Sequence, residues 1–496
     1  ATVSGNASTV LQLGLTELSL SGLSASYRRD ASKLQFGGSI AVSVGQQSVS
    51  LELIDTGLVL VDGQIDSFQG IFTTAVNLTM DNGYGFDFLL SNASVVYDAS
   101  LDGLAIGGML TAEWSRKNGS QTGGNFSVEV PPGGLNLTSQ SVRSFSGTAS
   151  GSLPIHLGAD QEMALTLDGL DVSYVAESSR LSMLGNIGID VLGNSMRVEL
   201  AEDGLVVVDG ELVSVSGFTD NSFVIEGLHG TLSGDVNYVS AEDKLTVIGG
   251  RFSVGSNAGT LDFSIEDVSL DVFGGQLSSF AGNATGRILM GNGELDLNGV
   301  VVSKIGAHLQ FSGPAAARVG SNSINVTFGG TDDDGTGLPG LQFIDGELVS
   351  GYGHVVGSFE YGDNSLSINA TANYHTGDNG DHQLDLSGQA EGLIAGQSVN
   401  LTLEDVNLFD VLNGEFSGVG ASISGPLSLS VDGVSIVVED VRVRFEDDVR
   451  HYFGDAQVMI YGGTAVQQLA VENAALTLAG DELQAFSGSF SGSGST

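Results

Sequence analysis

Three consecutive acids, Asp332-Asp333-Asp334, lie in the Gly-rich segment Thr331–Gly340. Carboxylates on a backbone free to fold around an ion are hard oxygen ligands, the donor set that Ca2+ takes. The full spacing of a helix-flanked calcium loop is absent, so the plainer reading is a solvated turn, where Asp and Gly are common anyway. A second cluster, His375-Thr-Gly-Asp378-Asn-Gly-Asp381-His382, joins two imidazoles to the carboxylates of Asp378 and Asp381. Those donors suit a transition metal, but a Gly-rich turn fixes no geometry and reads equally as an unliganded loop. The expected cofactor set is therefore none required, with Ca2+ as the one candidate.

Asn-x-Ser/Thr sequons begin at Asn6, Asn77, Asn92, Asn118, Asn125, Asn136, Asn283, Asn325, Asn369 and Asn400. Several are flanked by apolar residues, as in Val76-Asn77-Leu78-Thr79. In a strand, that spacing sends Asn and its hydroxyl partner to the same outward face. The competing readings are N-glycosylation and a plain solvent-facing ladder. Nucleophilic catalysis lacks its parts: there is no Cys, and the Ser residues lie in alternating strands or the tail, not on a strand-to-helix elbow. Acid pairs such as Glu446-Asp447 are expected by chance when Asp and Glu number 59. No catalytic residue is assigned and no enzyme is expected, although two acids suffice to cleave a polysaccharide.

The elements that must carry these residues are β-strands arranged in repeats. Leu23–Gly70 aligns without a gap onto Leu170–Gly217, pairing Tyr27 with Tyr174, Leu34 with Leu181 and Ile40 with Ile187. A third copy starts at Leu309-Gln310-Phe311 and resumes at Gly340-Leu341-Gln342-Phe343. A punctuation of the form Phe-x-Gly or its variants recurs at Gly70, Gly147, Gly217, Gly282, Gly353, Gly420 and Gly488. An apolar or aromatic landmark precedes each: Tyr27, Tyr97, Tyr174, Tyr238, Val302, Tyr374 and Phe445. The division this predicts is seven repeats of about 70 residues, over 1–70, 71–147, 148–217, 218–282, 283–353, 354–420 and 421–488, with a Gly/Ser linker-like tail at 489–496. That tail, and a start at Ala1 without an initiator Met, suit a piece of a longer array.

Within a repeat the apolar residues alternate. Leu181, Met183, Ile187, Ile189 and Val191 share one parity. Thr260–Asp271 alternates through Leu261, Phe263 and Ile265, then changes parity at Val268 and Leu270. Period two over such lengths predicts half-buried strands. The connections are too short for helical crossovers, so the strands should be antiparallel. The expected fold is all-β, an elongated, solenoid-like stack of antiparallel repeats. Tandem β-sandwich domains are the alternative, and few aromatics and one Trp disfavour a membrane barrel. Only 6 prolines and no visible linkers speak against separate beads.

The 496 residues carry 73 Gly, 59 acids and 16 bases, for a formal net charge of -43. Such a surplus repels a phosphate backbone and excludes nucleic acid as a partner. Apolar residues at 41% suffice for a core and argue against global disorder. No apolar run is long enough for a membrane-spanning helix. Like charge along a β-protein discourages random edge pairing, and it attracts divalent cations that bridge neighbours or anionic envelope polymers.

Tyr-x6-Leu-x-Phe/Met-x-Gly, followed by Gly-Leu-Val-Val-Val-Asp-Gly-Glu-Leu-Val-Ser at Gly204–Ser214, resembles the tandem β-repeats of very large secreted bacterial surface proteins. The strand after Tyr174 is also similar to the stacked antiparallel repeats of lipopolysaccharide-transport proteins. The first resemblance implies an adhesive or fibre-forming role, and the second a lipid-lined groove. The function expected is structural: a secreted or cell-surface segment that forms or decorates a fibre, stalk, sheath or surface layer by self-association. The alternatives are an adhesin whose loops bind a glycan or host protein, with surface polysaccharide as partner, and a polysaccharide-degrading enzyme.

Overall fold

In a computed structural model the chain is all-β. The structure describes residues 2–4, 9–13, 16–20, 23–28, 33–44, 47–79, 86–98, 103–115, 122–137, 142–156, 162–178, 180–208, 211–255, 261–290, 293–319, 322–331, 337–361, 364–376, 382–394, 397–407, 418–431, 434–446, 449–462, 465–479 and 482–491. Among the described residues the one helical piece is a 3-10 turn at Ala176–Ser178. No helix there is long and apolar enough to cross a membrane. The strand pairings are antiparallel, and consecutive strands are commonly partners. The expected alternation holds: Leu181, Met183, Ile187, Ile189 and Val191 are all buried.

The chain forms two compact units. One comprises residues 1–221, 233–248 and 270–278; the other comprises 222–232, 249–269 and 279–496.

In the first unit the repeat landmarks prove to be partners. Phe68 lies opposite Tyr97, with the rings stacked at 5.6 Å and 17°. Phe145 lies opposite Tyr174 in the same way, at 5.4 Å and 24°. The punctuation of one repeat thus pairs with the landmark of the next, so the boundaries at 70 and 147 fall inside continuous hydrogen-bonded ladders. Ring pairs of this kind add roughly 0.5–1.5 kcal/mol beyond area burial. Two punctuation sites of the second unit, at Gly353 and Gly420, have Gly two residues earlier, and there Gly351 stands opposite Tyr374 and Gly418 opposite Phe445.

The punctuation glycines have a physical cause. A Cβ on Gly147 would overlap the carbonyl oxygen of Glu129, and one on Gly217 that of Glu199. On Gly70 it would lie 2.9 Å from the Glu52 oxygen. Gly282 and Gly488 press in the same way on Ile265 and Val471. Several of the facing strands carry a bulge, as between Leu53 and Leu58, Glu129 and Leu135, and Leu200 and Leu205. Between these pairs the bulged strand carries three residues more than its partner, which bends it and brings backbone forward. The punctuation glycine meets that backbone where a Cβ would collide with it.

The bulge also explains the parity change. Asp267 has a φ of 52°, and burial switches there from Phe263 and Ile265 to Val268, Leu270 and Val272. Asp440 (φ 54°) repeats this, with Ile436 and Val438 buried before it and Val441 and Val443 after. Short polar Asp and Asn tolerate the left-handed region better than other non-Gly residues. Gly108 and Gly454 make the same approach, to the bulges at Ser91–Ser94 and Glu439–Arg442. These two glycines fall midway between punctuation glycines, so in those two repeats the same contact recurs at about half the repeat step.

Pairing continues to Ser491, which lies opposite Ala470. The strand Glu482–Ser491 therefore includes the first residues of the segment read as a tail.

Candidate charged groove

The second unit carries a groove of about 840 Å³ on the outward face of adjacent strands. Its floor begins with the alternation itself. Phe263, Leu297 and Ala317 turn inward and are buried, so their neighbours Asp262, Asp296 and Arg318 must face outward. Small residues lie among the charged ones: Ser253, Ser264, Thr285, Gly286 and Ala316. Ser264 faces out yet is only 7% exposed, which marks the deep part of the groove. Its hydroxyl donates to Glu266 Oε1 at 2.8 Å.

Charges alternate from strand to strand. Arg251 on Lys244–Gly255 bonds Glu266 on Leu261–Phe273, Nε to Oε1, at 3.0 Å. Arg287 on Gln276–Met290 reaches back to Asp262 at 3.4 Å and forward to Glu294 at 3.8 Å. Arg318 on His308–Val319 bonds Asp296 at 2.6 Å. Glu294 and Asp296 both sit on Gly293–Ile305.

The register shows that the last two pairs are diagonal. Arg287 is directly opposite Asp296 but bonds Glu294, and Arg318 is directly opposite Glu294 but bonds Asp296. Diagonal neighbours lie roughly 7–8 Å apart across a ladder, within reach of a long Arg side chain. The row Arg287–Asp296–Ala316–Asn325 then continues through Val356 to Asn369.

Asp332, Asp333, Asp334, Asp378 and Asp381 lie outside the described residues, as does Asn118. His375 is half-buried, with Nδ1 3.5 Å from a carboxylate oxygen of Asp385; it stands opposite Gln383, while His382 stands opposite Thr376. Among the described residues no three His, Cys, Asp or Glu side chains form a group that could hold a metal ion. Asn77 and Asn125 lie in strands, but their side chains are outside the description. Asn92 sits exposed at a bulge with a φ of 49°. Asn136 is exposed and donates to Ser144 Oγ at 3.0 Å. Asn325, Asn369 and Asn400 are exposed and Asn283 is half-buried.

Two sequons share a register. Val356 lies between Asn325 and Asn369, and His354 between Thr327 and Thr371. The sequence did contain a trace of the groove. Arg251, Arg287 and Arg318 recur at about the hairpin step in a chain with only 16 bases. No protein-family model, curated protein or solved structure matches this chain.

Proposed function

We propose that the chain is an extracellular structural repeat segment that forms or decorates a fibre, stalk, sheath or surface layer by self-association. The observation that carries this reading is the recurrence of one packing device, a glycine set against a bulged neighbour, from Gly70 to Gly488. A unit that reuses one contact extends by repetition, each copy burying the apolar face of the last. The cross-boundary pairs Phe68–Tyr97 and Phe145–Tyr174 fit that role, because load passing from repeat to repeat crosses hydrogen-bonded ladder and stacked rings rather than a linker.

The acidic surplus sets the conditions for assembly. Like charges oppose association at low ionic strength, whereas salt or divalent cations screen them. Sedimentation and electron microscopy of the purified chain, with millimolar Ca2+ or with chelator, test the reading. Concentration-dependent oligomers or filaments, favoured by cation, are the expected result. A chain that stays monomeric at every concentration and cation level overturns it.

A further inference from the structure

The groove is electrically balanced in a very acidic protein. Arg251, Arg287 and Arg318 line it together with Asp262, Glu294 and Asp296, whereas the whole chain carries -43. We propose that it is a binding site for an uncharged polysaccharide, laid across the strands. This does not depend on the assembly reading, since a monomer would bind as well.

Charge selects the ligand class. A polyanion would have to draw the arginines from carboxylates they already bond, and a cation would have to draw the carboxylates from the arginines. A neutral sugar asks for neither. Each hydroxyl both donates and accepts, so it can lie between a guanidinium and a carboxylate and bond both. Arg287 and Arg318 each carry five N–H donors in a planar fork, and a carboxylate partner holds that fork in place without using all of them. Side chains already fixed in the unbound protein lose less entropy when a ligand arrives.

Shape agrees with charge. A volume of about 840 Å³ falls within the usual range for ligand sites. Ser264, Thr285 and Ala316 keep the floor low, and Asn298 and Asn325 add amide donors and acceptors along it. Among the described residues Phe263 is the one aromatic lining the groove, and at 4% exposed it presents no ring for stacking. Recognition therefore rests on hydroxyl hydrogen bonds. The arginines stand on alternate strands, about 10 Å apart from the interstrand spacing, which suits a ligand that repeats along its length.

The test is titration calorimetry with neutral hexasaccharides (cello-, xylo-, manno- and malto-hexaose), with hexagalacturonate as the anionic comparison. At least one neutral hexaose should bind, with affinity that changes less than about twofold between low and high salt because no counterions are released. Ala316→Trp, which fills the floor beside the Arg318–Asp296 pair without removing either charge, should weaken binding about tenfold or more while thermal unfolding confirms the fold. Should that variant fail to fold, Arg318→Gln removes one charged donor and should cost about tenfold. The proposal is overturned by absence of neutral binding at millimolar ligand, by salt-sensitive binding of hexagalacturonate alone, or by a folded variant with unchanged affinity.

Discussion

Arg318 stands opposite Glu294 in the ladder, yet its guanidinium lies 2.6 Å from Asp296, across the diagonal. Arg287 makes the mirror choice, so two arginines cross over one acidic strand.

The crossing predicts a modest, salt-sensitive coupling. The Arg318 side chain is 59% exposed, so solvent screens most of the Coulomb energy. A double-mutant cycle with Arg318→Ala and Asp296→Ala should give roughly 0.5–1 kcal/mol at low salt. Denaturant titrations repeated at high salt should show that value shrink; an undiminished one would contradict a surface ion pair.

Glycines against bulges should be far less replaceable than other glycines. Gly217→Ala places a methyl into the Glu199 carbonyl and should cost about 2–4 kcal/mol. Gly255 has nothing within 4 Å of a Cβ and an ordinary φ, so Gly255→Ala should be neutral or slightly stabilising. Unfolding midpoints of the two variants, read beside the parent, make the comparison.

Phe311 joins two rings in the core of the second unit, at 5.7 Å from Phe263 and 4.9 Å from Phe343, and is fully buried. Phe311→Ala should cost about 3–5 kcal/mol through lost burial and a cavity. Phe311→Leu keeps most of the volume and should cost considerably less. Equal losses in chemical denaturation would show that the ring contacts carry little.

At Asp440, held at a φ of 54°, the backbone decides the outcome. Asp440→Gly should be tolerated, whereas Asp440→Val should lose about 1–2 kcal/mol, because a β-branched side chain fits that region poorly. Thermal unfolding of the pair separates a backbone requirement from one for the carboxylate, which predicts equal damage from both changes.

Much of the fold is legible in the sequence because burial leaves a period of two, as Leu181 to Val191 show. The parity change before Val268 is legible too, but the bulge behind it needs the left-handed backbone at Asp267. The hairpin step is harder to read: Gly108 follows Ile106-Gly107 and Gly454 follows Tyr452-Phe453, so the residue beside the glycine varies while the packing requirement does not. The groove is hidden for a different reason. Arg251 and Arg318 lie far apart along the chain, and only the register places their strands on one face with Glu294 and Asp296 between them.

The glycine-and-bulge contact bears on how such a chain changes over generations. A two-stranded module returns the backbone to the same heading and offers its successor the same surface. Gene segments encoding it can then be duplicated or deleted in whole steps, and every new junction reproduces one already tested. Length becomes a freely adjustable trait, while Gly147 and Gly217 stay tied to the carbonyls they face.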